Sequence, residues 1–205
     1  MKLEWDGSKL TDVGTDGRRL AKMEGPAQEV DSPMPIGDAT IVPTRAMQLM
    51  DRALSEDDSE IQFALRQNEI LVKNPRATIN ARLLEGRYPR WREVFPQRDN
   101  SIKLSMLAGP LHTAVRQAAI ATSEESRGVD FKFGDGMLVL TGHAAEVGQS
   151  RIELPISYEG ESLTITLDPR FLSDFLKVVE ADKNFSLDLQ ESDAAAVCTR
   201  EDGSG

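Results

Sequence analysis

Cysteine and histidine are nearly missing from this sequence. Its 205 residues include one cysteine, Cys198, and two histidines, His112 and His143. A single cysteine excludes an internal disulfide framework and fits a reducing cytosol. With two histidines, acid–base chemistry would fall to carboxylates. Those present look like solvated surface, as in Ser55-Glu56-Asp57-Asp58-Ser59-Glu60. No apolar run approaches the roughly 18 residues of a membrane helix, and Met1 to Asp6 lacks the apolar stretch of a secretion signal. A soluble, cytoplasmic protein with no membrane partner is expected. Positive charge is also scarce: 24 Lys and Arg against 34 Asp and Glu leave a net charge of −10. That argues against a protein gripping nucleic acid over its whole surface, but not against one basic face.

Motifs for chemistry are equally thin. Gly134-Asp135-Gly136 is followed by Met137-Leu138-Val139, a strand and not the helix start that a phosphate-binding loop needs. His143 and Glu146 share a hairpin loop without a third metal ligand. Cys198 alternates with Ala196 as a packed strand residue does, without a base to activate it. No catalytic residue, metal or cofactor is expected.

What is present is a repeat. Alternating apolar residues around Asp6-Gly7 predict a hairpin over residues 3–10, and the same pattern returns around Asp135-Gly136 over 131–140. Each is followed by a further strand-like stretch, then by a short strand entering a helix: Ile41-Val42-Pro43-Thr44 and Ile165-Thr166-Leu167-Asp168-Pro169. The early proline marks both helix starts, predicted over 44–54 and 169–180. Strands are predicted at 60–65, 69–73 and 77–84 after the first helix, and at 184–189 and 194–199 after the second. Between the blocks, 101–106 reads as a strand and 110–122 as a helix. The unit is strand, helix and three strands, and the chain is expected to begin and end within one. A boundary is expected at Gln97-Arg98-Asp99-Asn100.

Each helix is amphipathic. Ala46, Met50 and Ala53 oppose Arg45, Gln48 and Arg52. Leu111, Val115, Ala118 and Ala119 oppose His112, Thr113, Arg116 and Gln117. Phe171, Leu172, Phe175 and Val179 oppose Arg170, Ser173, Asp174 and Lys177. Helices with one apolar side and one modestly basic side, covering sheets, define an α+β layer architecture.

Two segments admit two interpretations each. Thr15-Asp16-Gly17-Arg18-Arg19-Leu20 is a turn between strands, or a turn with a binding role. Gly86-Arg87-Tyr88-Pro89-Arg90-Trp91-Arg92 interleaves aromatics with arginines, as a nucleic-acid stacking surface or a packed crossover loop would. These strings, the Ile-Val-Pro helix entry, Val94-Phe95-Pro96, Gln117-Ala118-Ala119-Ile120 with Ser126-Arg127-Gly128-Val129, Glu153-Leu154-Pro155, Tyr158-Glu159-Gly160 and Ser173-Asp174-Phe175-Leu176 occur in one order. In that order and spacing the chain resembles the beta subunit of bacterial DNA polymerase III, the sliding clamp.

The resemblance implies a DNA-clamp fold, helices on the inner face and sheets outside. It implies three domains per subunit and a head-to-tail homodimer around double-stranded DNA. Residues 1–97 would be most of the second domain, lacking its first strand and helix, and 98–205 the third, lacking its last strand. Without a first domain this chain alone would not close a ring. The implied function is that of a non-catalytic processivity factor, held to DNA without sequence preference. It would dock the replicative polymerase, clamp loader and repair proteins through short hydrophobic peptides. The matching pocket positions are Thr15, Gly17, Arg19, Leu20, Pro89, Val94, Asp168 and Phe171. DNA-facing positions are Arg45, Arg52, Arg116, Arg170 and Lys177, and Ile120 falls in the subunit interface. Arg18 departs from the histidine common in the family, and the absent last strand would have formed one pocket wall; both bear on peptide affinity. Two rivals remain. A nuclease or polymerase accessory enzyme would need convergent carboxylates for metal-assisted phosphoryl chemistry, which the sequence does not offer. An adaptor would dock peptides without forming a ring.

Overall fold

A computed structural model describes residues 1–30, 40–54, 60–96, 101–122, 127–145, 148–192 and 194–200. The chain divides into two compact units, Met1–Phe95 and Pro96–Gly203. The expected boundary at 97–100 lies outside the described residues.

In the first unit β1 (Lys2–Trp5), β2 (Lys9–Thr15) and β3 (Leu20–Pro26) form an antiparallel meander. Asp6 makes the first turn: its Oδ1 accepts from the backbone N–H of Ser8 and Lys9, at 2.9 and 2.8 Å. Helix α1 (Thr44–Leu54) starts where Pro43 predicts. It is followed by the meander β4 (Gln62–Arg66), β5 (Glu69–Lys73) and β6 (Thr78–Arg82), then a single helical turn, α2 (Trp91–Val94). Leu3, Val42, Ala46, Met50, Ile70 and Val72 form the core. The strand expected at Ile41-Val42 is reduced to one residue, Ile41, which bridges Lys2 on one side and Leu84 on the other. Pro43 has no N–H with which to prolong that ladder.

The second unit runs β7 (Ile102–Leu107), α3 (Ala108–Ala118), a 3₁₀ turn (Ala119–Ala121), β8 (Val129–Gly134), β9 (Met137–Ala144), β10 (Gly148–Pro155), β11 (Leu163–Leu167), α4 (Pro169–Leu176), β12 (Asn184–Leu189) and β13 (Val197–Arg200). Its sheets have the orders β10-β9-β8-β11 and β13-β12-β7. The β8–β9 turn places Asp135 and Gly136 at φ 52° and 70°, the paired positive angles for which Asp-Gly is selected. The repeat is visible in the pairing: β11 pairs with β8, the first strand of its meander, as Ile41 bridges β1, the first strand of the other. The core is aromatic and aliphatic. Phe131, Phe133, Phe185, Leu111, Leu138 and Leu140 are essentially excluded from solvent.

Three expectations are corrected. Helix α3 begins at Ala108, not at Pro110, because the Ala108 and Gly109 amides donate to the carbonyls of Lys183 and Ala181 at 3.0 and 2.9 Å, extending the helix back to the end of β7. Helix α4 ends at Leu176; Val179 is buried as its spacing suggests, but from a turn beyond the helix. The last strand starts at Val197, not at residue 194. In addition, Phe171 is half-buried and does not belong to the core stripe, whereas Leu176 does.

Candidate functional site

The Thr15–Leu20 segment is a pre-formed turn. Thr15 and Leu20 are the last pair of the β2–β3 ladder, and Gly17 occupies a φ of 87°. Asp16 Oδ1 accepts from the backbone N–H of both Arg18 and Arg19 at 3.0 Å, and Arg19 Nε donates to Asp16 Oδ2 at 3.0 Å. These bonds, the backbone ones first, hold the Asp16 carboxyl below its ordinary range. The Thr15 hydroxyl donates to the Arg19 carbonyl at 2.7 Å and accepts from Gly17 N–H at 3.1 Å. A turn so closely bonded presents the exposed Arg19 and half-buried Leu20 with little ordering left to lose on binding.

The Gly86-to-Pro96 segment is a packed crossover loop. Its Tyr88 hydroxyl donates to the Val13 carbonyl in β2 at 2.8 Å. Trp91 is 6% exposed and its indole N–H donates to Glu4 Oε1 in β1 at 3.2 Å. The Arg92 guanidinium stacks 4.3 Å over the Trp91 ring and reaches Glu4 Oε2, while Phe95 meets that ring edge-on at 6.2 Å. A tryptophan so enclosed offers no face to a nucleobase, so Trp91 takes no part in the stacking interpretation. Anchored at Tyr88 and Trp91, the loop leaves Pro89 exposed and Val94 at 67% exposure on the unit that carries Leu20.

Glu4 gathers three donors, Lys2 (2.8 Å), Trp91 and Arg92. Burial opposes its ionisation, but the hydrogen bonds outweigh that and bring its pKa down to about 2. The sequence did not single out this cluster, because Glu4 and Arg92 lie 88 positions apart. Only the mixed aromatic–arginine composition of the loop pointed toward it.

In the second unit Asp168 caps α4. Its Oδ1 accepts from the Arg170 N–H at 3.0 Å, and Pro169 follows as the first helical residue. Phe171 lies one turn on and is half-buried. His112 Nε2 lies 3.0 Å from Ser173 Oγ, linking α3 to α4 on their polar sides. Arg45, Arg52, Arg116, Arg170 and Lys177 are all exposed. Ile120, on the 3₁₀ turn, is 73% exposed. An open depression of about 520 Å³ in the first unit is lined by Arg66, Glu69, Arg82 and Leu84 among others, and by none of the expected docking residues. Among the described residues no three metal-capable side chains converge, and Glu146 lies outside them. No described helix is long and apolar enough to cross a membrane.

Paired units in which an amphipathic helix covers antiparallel meanders are the architecture of the DNA clamps. The model of the DNA polymerase III beta subunit central domain matches residues 1–90, and that of its C-terminal domain residues 92–203. The chain belongs to the DNA polymerase III beta subunit family. It is 34% identical over 167 residues to the beta sliding clamp of Chlamydia pneumoniae, covering 82% of this chain and 44% of that protein. Against the beta sliding clamp of Pseudomonas aeruginosa the identity is 28% over 181 residues, covering 87% and 48%. The crystal structure of the DNA polymerase III subunit beta from Pseudomonas aeruginosa superposes with a TM-score of 0.86 at 28% identity, covering 98% of this chain and 54% of that one. The chain thus spans about half the length of the curated relatives it matches.

Proposed function

We propose that the chain acts within a sliding clamp, a non-catalytic processivity factor of DNA replication that surrounds duplex DNA and docks its partners by short hydrophobic peptides. The observation that carries this is the tiling of nearly the whole chain by the two clamp domains, in the clamp order, with matching backbones. Retention by topology needs only weak contacts to phosphates, which carry no sequence information. Exposed Arg45, Arg52, Arg116, Arg170 and Lys177 on a chain of net charge −10 suit that role. Ile120 supplies an exposed apolar contact for a second subunit.

Docking is assigned to Thr15, Gly17, Arg19, Leu20, Pro89 and Val94 of the first unit and Asp168 and Phe171 of the second. What supports it is the Thr15 turn held by its own hydrogen bonds, the anchored loop that presents Pro89 and Val94, and the match of both clamp-domain models to the segments that carry these residues. Partners of this kind would be the polymerase, the clamp loader and repair proteins, and the setting the cytoplasm. Titration with a fluorescently labelled hydrophobic peptide from a polymerase partner tests the assignment. Leu20→Asp is expected to weaken binding at least about tenfold, as loss of a central apolar anchor does. Affinity unchanged by Leu20→Asp, with the fold intact by circular dichroism, would remove the docking assignment.

A further inference from the structure

The exposed cations of the second unit differ in their surroundings. Arg116, on α3, takes part in no ion pair among the described residues. Arg170 is the reverse case. Its Nε lies 2.9 and 3.2 Å from the two carboxylate oxygens of Asp168, and its Nη2 closes the fork on Oδ2. The Asp168 side chain is 14% exposed and that of Arg170 56%. A guanidinium held by two oxygens is fixed in orientation, here turned back over the first turn of α4. A phosphate would have to displace the carboxylate to gain both donors. Lys177 differs again, with one contact of 3.0 Å to an exposed Asp174, which a phosphate can readily replace. Arg170 is therefore tied to a residue assigned to peptide docking, immediately before Phe171.

We propose that Arg170 is a positioning residue of the peptide-docking face, holding Asp168 in its capping geometry, and that Arg116 makes the phosphate contact from this unit. The inference rests on the docking and DNA roles proposed above, and it moves Arg170 from the DNA side to the docking side. The Arg170 side chain is also the largest influence holding the Asp168 carboxyl below its ordinary range. Docking that uses an ionised Asp168 then reaches further into acid with the Arg170 side chain present than without it.

Two titrations of the whole chain test this. Against labelled duplex DNA over a salt series, Arg116→Ala is expected to reduce the log–log slope by about 0.9, the value of one neutralised phosphate. Arg170→Ala should reduce it by less than about a third of that. Asp168→Asn keeps a capping oxygen but drops the charge; by releasing Arg170 it should steepen the slope by up to about 0.9. Against the labelled peptide used for Leu20→Asp, Arg170→Ala should weaken binding about threefold and move the acid limb of the binding curve to higher pH. Arg170→Lys keeps the charge without the fork; it should resemble the alanine variant with peptide and, being as displaceable as Lys177, steepen the salt slope in the direction of Asp168→Asn. A salt slope flattened as much by Arg170→Ala as by Arg116→Ala overturns the proposal, as does an acid limb that stays in place. If Arg116→Ala leaves the slope unchanged and the wild-type chain binds no peptide, the underlying functional assignment falls, and this one with it.

Discussion

Gly142→Ala is expected to destabilise the second unit by about 3 kcal/mol, the upper end of what one inserted methyl costs in a packed interior. Gly142 is buried in β9, where its N–H donates to Ser150 Oγ at 3.2 Å, and that hydroxyl donates to the Ala118 carbonyl at 2.9 Å. A Cβ at this position would lie 2.4 Å from the Ala118 oxygen and 2.7 Å from Ser150 Oγ. The first is backbone at the end of α3, so relief requires the helix to move off the sheet. Gly25 is the control, because a Cβ there meets nothing within 4 Å. Gly25→Ala should stay within about 0.5 kcal/mol of the wild type. Hydrogen exchange of the β9 and α3 amides reads the difference. Protection in Gly142→Ala equal to that in Gly25→Ala would show that the helix end yields freely.

The second large effect lies at Glu4. Its folded-state pKa of about 2 is depressed from 4.5. An acid depressed on folding stabilises the fold above its unfolded pKa and loses that contribution as pH falls through the folded one. The window therefore runs from about pH 4.5 down to about pH 2. Allowing for screening around the largely exposed Arg92, the contribution at neutral pH is about 2 kcal/mol. Glu4→Gln should remove about 2 kcal/mol from the first unit at pH 7, with the difference from wild type disappearing near pH 2. The chain's two tryptophans, Trp5 and Trp91, both belong to this unit, so urea unfolding followed by tryptophan emission isolates it. Equal midpoints at pH 7 would mean that Glu4 is stabilised no more in the folded chain than in the unfolded one.

Local chemistry was legible in the sequence, and distant partnership was not. Asp6-Gly7 and Asp135-Gly136 declare their turns because few residues tolerate the angles required. Helix α1 was readable to both ends because Pro43 opens it and its apolar spacing is regular. The start of α3 was missed because the carbonyls of Lys183 and Ala181 satisfy its first amides, a substitute for capping that spacing does not reveal. The end of α4 was missed because burial of Val179 outlasts the helix. At β13, a half-exposed edge strand following Ala194-Ala195-Ala196 has little alternation to mark its start. The candidate site divides in the same way. The Thr15 turn was visible from Asp16-Gly17, whereas Asp168 entered as a site residue only through the resemblance to the clamp family. The pairing of Asp168 with Arg170 was not visible, since residues two apart in a regular helix do not face each other; Asp168 is outside the helix and turns back.

The loop that closes onto β1 also sets an order of events. Tyr88 bonds to Val13, and Arg92 to Glu4, across separations of 75 and 88 residues. Chain entropy must be spent on that closure before any of these bonds is gained, which places it late and makes it slow relative to the hairpins. During synthesis at about 5–20 residues per second, roughly 4–18 s separate the emergence of Glu4 from that of Arg92. For that interval β1 and β2 exist with one face uncovered, exposed to chaperones and to neighbouring nascent chains.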